Sequence, residues 1–158
     1  MNKGPRSPWK TRYFIDTEFT DFEVCQLISI AIVSENGREF YGECSDFERP
    51  LCSDFVRSIV LPQLDQFPGR SMPFTALRDE LQAWLLAVPL KPKPVLCYDS
   101  NCDWDLVTHL LGGPLPRGWK HENVFLQIDA ERFAEYIATH GGEHHALHDA
   151  RANAFAFR

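Results

Sequence analysis

Asp16 and Glu18 stand two residues apart at the end of an apolar run, RYFID, that begins at Arg12. Side chains of a strand alternate between its faces, so carboxylates at i and i+2 point the same way with Cα atoms roughly 6.5 Å apart. Two anions that close repel each other and hold on to protons unless a cation lies between them. Hard divalent cations such as Mg²⁺ and Mn²⁺ take oxygen ligands and suit such a pair. A solvated strand end is the plainer reading of D-x-E taken alone. More acids follow in suggestive positions: Asp103 and Asp105 come just after the run PVLCYD, and Asp149 lies in HHALHDA. Each has an ordinary role open to it, Asp103 as a helix N-cap and Asp149 as a first-turn acid favoured by the helix dipole.

The histidines beside Asp149 divide by geometry. His145 shares a helical face with Asp149 at i, i+4, whereas His144 lies roughly 140° round the helix. A helix that begins after His144 removes the conflict, because the Gly141-Gly142-Glu143 loop can then swing that imidazole over the acids. A histidine so placed can accept a proton from water near neutral pH. A zinc site drawn from His140, His144, His145 and His148 has i, i+4 spacing between His144 and His148, but no nearby cysteine and no HExxH.

Elements must carry these groups. Residues 12–16 read as a strand, and CQLISIAIVS at 25–34 is long and β-branched enough for a central one. Asn36-Gly37 between two apolar runs predicts a hairpin, with a type I′ turn that needs positive φ at both positions, and REFYGEC at 38–44 pairs back. The chain thus opens as a three-stranded antiparallel meander. Downstream, a short helix is expected over 53–60. Thr75 is the expected N-cap of a helix with Leu77, Leu81, Trp84 and Leu85 on one face. Strands are expected at 94–99 and 123–128, and helices at 103–111, at 129–140 with an Asp129 cap, and after Gly142. The expectation is an α/β (mixed α+β) fold with a mixed sheet flanked by helices. Residues 1–11 form an arm and 12–158 a single domain.

The composition of the 158 residues, 44% hydrophobic and 24% charged, is that of a folded globular chain. A net charge of -6 excludes the basic footprint of a broad duplex binder. If nucleic acid is a partner, bound cations must offset the repulsion. Five cysteines without a CxxC pair argue against a disulfide framework or zinc ribbon and for a reducing, cytoplasmic setting. The basic N-terminus has no apolar run behind it, and no stretch is long enough for a membrane span.

D-T-E, then D-W-D-L, then H-x-A-x-x-D-A follow one another along the chain. In that order they resemble the three motifs of the DEDDh family of 3′–5′ exonucleases. RYFIDTEF…QLISIAIVSENGREFY is further similar to the small bacterial exoribonuclease AS subgroup, densely over 12–42 and thinly over about 45–90. The resemblance implies a ribonuclease H-like fold with a five-stranded mixed sheet, in which Asp16, Glu18, Asp103 and Asp149 hold two Mg²⁺ or Mn²⁺ ions. For the third acid, Asn101, Trp104 and Asp105 fit a pattern of other branches, while D-W fits the subgroup and selects Asp103. H-x-A-x-x-D selects His144 as the general base. Thr17 and Phe19, on either side of Glu18, would line the pocket of the terminal nucleotide. The implied partner is the 3′ end of single-stranded RNA, with DNA open to the same chemistry, and the implied assembly is a homodimer.

Overall fold

The computed structural model of the protein describes residues 7–158. Its sheet has the order β4-β3-β2-β1-β5-β6. Strand β1 (Lys10–Phe19) pairs antiparallel with β2 (Leu27–Ser34), which pairs antiparallel with β3 (Glu39–Cys44). The expected meander is therefore present. Every residue of β2 is buried, as its Leu, Ile, Ala and Val on both faces require of a strand covered on both sides. β1 starts earlier than expected, since Lys10 and Thr11 pair with Lys93 and Pro94. Residues 1–6 of the expected arm lie outside the described residues.

The β2–β3 hairpin forms at Asn36-Gly37, but through a three-residue loop. Val33 pairs with Glu39, Ser34 N donates to Arg38 O at 2.8 Å, and of Asn36 and Gly37 only the glycine takes a positive φ, at 93°. A type I′ turn needs two such residues. The longer loop needs one, at its last position, and glycine takes it without a Cβ clash.

The rest of the chain alternates. β4 (Ser71–Met72) lies parallel to the end of β3 and makes a sixth strand that the sequence does not announce. Helix α1 (Phe74–Ala87) follows, with Leu77, Leu81 and Leu85 buried as their spacing predicts. It starts one residue before Thr75, after Pro73, and its first amide is capped from afar: Phe74 N donates to Asp46 Oδ1 at 3.0 Å. β5 (Lys93–Tyr98) runs parallel to β1, and α2 (Asn101–Leu111) leads to β6 (Lys120–Asn123), parallel to β5. The strand expected at 123–128 is thus displaced toward the N-terminus. Only Val124 of that run is buried, while Phe125 and Leu126 are 63% and 92% exposed in a short 3₁₀ turn. α3 (Ala130–His140) has the expected Asp129 cap, and α4 (Ala146–Ala156) closes the fold.

Two layers flank the sheet. On one face Tyr13 and Ile15 of β1 pack with the α1 leucines and with Leu106, Val107 and Leu110 of α2. On the other, α4 crosses β1 and β2 with Ala146, Leu147 and Ala150 against Ala31, Val33 and Tyr41. Small residues on that helix let it approach the strands closely. α3 packs outside it, on α4. All five cysteines are free thiols, and no helix among the described residues is long and apolar enough to cross a membrane.

Candidate active site

Alternation along β1 sends Tyr13, Ile15 and Thr17 toward α1 and α2, and Phe14, Asp16 and Glu18 toward α4. At Glu18 the pairing with β2 slips: Glu18 faces Ser29 but Phe19 faces Leu27. Such a bulge ends regular pairing and re-aims the side chains beside it. The two acids therefore leave the sheet where the first turns of α2 and α4 meet it.

Ser100 caps α2, its side chain accepting from Cys102 N. That cap fixes the phase of the helix, burying Asp103 at 3% exposure and leaving Asp105 exposed. Asp103 is then gripped by β1, because Thr17 N and Thr17 Oγ1 donate to its Oδ1 at 3.2 and 2.6 Å. The hydroxyl of Thr17, buried between the two acids, is thus committed to holding the third.

The last helix begins at Ala146, so His144 stands before it. His145 is the N-cap, its ring accepting from Leu147 N. His144 takes a positive φ of 66°, and its backbone N–H donates to Asp149 Oδ2 at 3.1 Å. Gly142, at φ 82°, permits the approach, since a Cβ there would come within 2.5 Å of the His148 ring. From the other side Gln63 Nε2 donates to both Ile59 O, at 3.0 Å, and Glu143 O, at 2.8 Å, tying the His144 loop to the helical segment Val56–Val60. His145 goes elsewhere, buried and stacked on Tyr41 at 5.0 Å between ring centroids.

The outcome is two adjoining groups. Ligand atoms of Glu18, His144 and Asp149 all lie within 4.8 Å of one another, and so do those of Asp16, Asp99 and Asp103. Among the described residues, no such group contains two histidines. Phe19 lies beyond, partly packed on the core and edge-on to Phe22, which is 79% exposed. The sequence reading did not single out Asp99. It looked like the last residue of a strand, and its one signal was its place four residues before Asp103.

So many carboxylates cannot all be charged unaided. Burial first, and then Asp103, Asp149, Glu18 and Asp99, hold the Asp16 carboxyl far above the usual carboxylate range. Burial, reinforced by Asp149 and Asp103, raises Glu18 to about 9. Asp103 rises to about 8, chiefly by burial and against the lowering effect of Thr17. Asp149 rises to about 7, again by burial, with the His144 amide opposing. Asp16 Oδ2 and Asp149 Oδ1 are buried with no hydrogen-bond partner among the described residues. Unpaired buried oxygens and mutual repulsion are what hard divalent cations relieve, so these residues fit such ions.

The stability of the metal-free protein should therefore depend on pH in a definite direction. With these folded-state pKa values raised, the folded chain holds more protons than the unfolded chain above about pH 4. Their stabilising contribution is whole below that pH and is lost as pH rises through about 7 to 9. In EDTA the melting temperature is expected to fall from about pH 5 to about pH 9, and Mg²⁺ or Mn²⁺ should remove most of the fall. A melting temperature flat with pH in EDTA would mean that the cluster carries no such strain.

No protein-family model matches the chain. A 3'-5' exoribonuclease of Mycobacterium tuberculosis, in two strains, is 46% identical to it over 54 residues, which is 34% of this chain. The match spans about a third, 32%, of that relative's length. Similarity of fold extends much further. A 3'-exonuclease solved in a study of 3'-end recognition of the histone mRNA stem-loop superposes with a TM-score of 0.65 at 17% identity, over 94% of this chain and 62% of its own. S. pombe Pop2p, in its Mg²⁺- and Mn²⁺-bound form, gives 0.64 at 13%, over 94% and 81%. E. coli exonuclease I in complex with a dA16 oligonucleotide gives 0.60 at 12%, over 92% and 39%.

The fold is shared with exonucleases of known structure. Within it, D-T-E ends β1, Asp103 lies in the first turn of α2, and Asp149 lies in the first turn of α4. The ribonuclease H-like sheet has six strands here, the short β4 being the addition.

Proposed function

We propose that the protein is a metal-dependent 3′–5′ exoribonuclease that releases nucleoside 5′-monophosphates from the 3′ end of single-stranded RNA. The observation that carries this reading is the pair of adjoining ligand-spaced groups, Glu18/His144/Asp149 and Asp16/Asp99/Asp103, on an exonuclease fold. The name of the M. tuberculosis relatives supports RNA as substrate.

Asp16, Glu18, Asp103 and Asp149 would hold two Mg²⁺ or Mn²⁺ ions. Such ions, when bound, lower the pKa of a water and neutralise charge developing on a phosphate. They also offset the repulsion between RNA and a chain of net charge -6. Thr17 keeps Asp103 turned into the cluster through two hydrogen bonds. His144 takes the proton from the attacking water, its backbone anchored by Asp149 so that the ring starts beside Glu18. Phe19, backed by Phe22, offers an aromatic face to the terminal base, and stacking of this kind contributes about 1–3 kcal/mol without reading sequence. The subgroup resemblance further supports a homodimer, and five free cysteines suit a reducing, cytoplasmic setting.

DNA is the second reading, favoured by the likeness to exonuclease I bound to an oligodeoxynucleotide. A time course on 5′-labelled RNA and DNA strands of one sequence, with Mn²⁺ or Mg²⁺ and with EDTA, separates the two. The expected result is a ladder shortening from the 3′ end of RNA only, and none in EDTA. A ladder on both strands makes the protein a general exonuclease. No metal-dependent ladder on either strand overturns the assignment of hydrolysis and leaves a nucleic-acid-binding module.

A further inference from the structure

Asp99 follows the last residue of β5 and lies four positions before Asp103. It is spared the usual duty of a carboxylate at a helix start, because the adjacent Ser100 caps α2. Its ligand oxygen instead converges with those of Asp16 and Asp103 inside 4.8 Å. Two further observations point to a cation there. Asp16 Oδ2 is buried without a donor. Asp103 is held rigidly by Thr17 through Oδ1 alone, so the grip on one oxygen fixes the direction of the other.

We propose that Asp99 is a third carboxylate ligand at one of the two cation positions, which it closes together with Asp16 and Asp103. This inference rests on the reading of the site as a divalent-cation centre. The two positions are then unequal. One draws on three carboxylates, and the other on Glu18 and Asp149, with the imidazole of His144 beside them kept free to accept a proton. Hard dications gain affinity with the number and charge of their oxygen ligands. The Asp99 position therefore fills first and stays filled in the absence of nucleic acid, so that its ion belongs to the resting protein.

Titration of the metal-free 158-residue chain with Mn²⁺, by calorimetry and by the loss of the free-ion electron paramagnetic resonance signal, tests this without any substrate. Wild-type protein is expected to bind two ions with distinct affinities. Asp99→Asn should weaken the tighter one by about 10–100-fold, the range seen when a metal's supporting groups are removed, and leave the weaker one unchanged. Asp105→Asn, on the exposed side of α2, should titrate like wild type. A melt in EDTA checks that Asp99→Asn folds; Asp99→Ser carries the same test if it does not. An Asp99→Asn titration that matches wild type overturns the role of Asp99 alone. No Mn²⁺ binding by wild type overturns the cation-centre reading itself.

Discussion

Asp16→Asn should all but abolish hydrolysis while raising the melting temperature of the metal-free protein. Asp16 is the point where the two groups meet, for its carboxylate feels Asp103, Asp149, Glu18 and Asp99 together. The amide keeps the shape of the side chain and removes its charge. In EDTA at about pH 8 the wild-type fold must hold a proton on this carboxyl that the unfolded chain releases, a cost the amide does not carry, so the fold gains. With cations present a ligand is gone, and the stabilisation a metal gives to a developing phosphate charge is worth several kcal/mol. At about 1.36 kcal/mol per factor of ten, the rate should fall on the order of 10³-fold or more. Asp149→Asn should lose activity to a similar extent with a smaller gain in stability. It also gives up a first-turn acid on α4 that the helix dipole favours. Labelled-RNA turnover and melts in EDTA on the same preparations read both effects. Substantial residual turnover, or a lower melting temperature in EDTA, would mean that Asp16 serves the fold rather than the reaction.

The features that were legible in the sequence depend on near neighbours in the chain. Alternation alone aims Asp16 and Glu18 to one side. The eight buried residues of β2 are six apolar ones with Ser29 and Ser34 among them. Gly37 marks the hairpin even though Asn36 does not share its positive φ, so the turn's place was readable and its type was not. What stayed hidden depends on distant partners. β4 exists because two residues find the end of β3, with Glu43 N donating to Arg70 O, and no pattern in Ser71–Met72 says so. α1 begins at Phe74 because Asp46, 28 residues earlier, accepts its amide. The apolar Phe125 and Leu126 imitate a strand but lie beyond the reach of the core. Around the acids the same division holds. The choice between Asp103 and Asp105 is one of helix phase, set by Ser100, a local cap that the sequence displays. Gln63 lies 80 residues from Glu143 in the chain, where nothing local announces that it will hold the histidine loop.

The adjacent histidines should part completely when each is replaced. His144 stands outside the helix, and its side chain is 40% exposed. His144→Ala keeps a Cβ at a position that already bears one at positive φ, so its stability should stay within about 0.5 kcal/mol of wild type. Its turnover should fall by about 10²–10⁴-fold, the usual share of a positioned general base. His145 is walled in by Tyr41, Phe67 and His148. Burial, with His148 and Arg151 adding to it, holds its imidazole down at about 4. It is therefore neutral at physiological pH and serves as a core residue and helix cap. His145→Ala opens a cavity and removes the acceptor for Leu147 N, which should cost on the order of 2–4 kcal/mol of stability. The folded fraction should turn over nearly as wild type. The acid side gives a second signature. The unfolded chain protonates His145 more readily than the folded one, so this residue destabilises the protein as pH falls from about 6.5 toward 4. His145→Ala should lack that contribution, and His144→Ala should keep it. Rates taken well below both melting temperatures decide the matter: equal losses of turnover, or a larger loss for His145→Ala, would take the proton-accepting role away from His144.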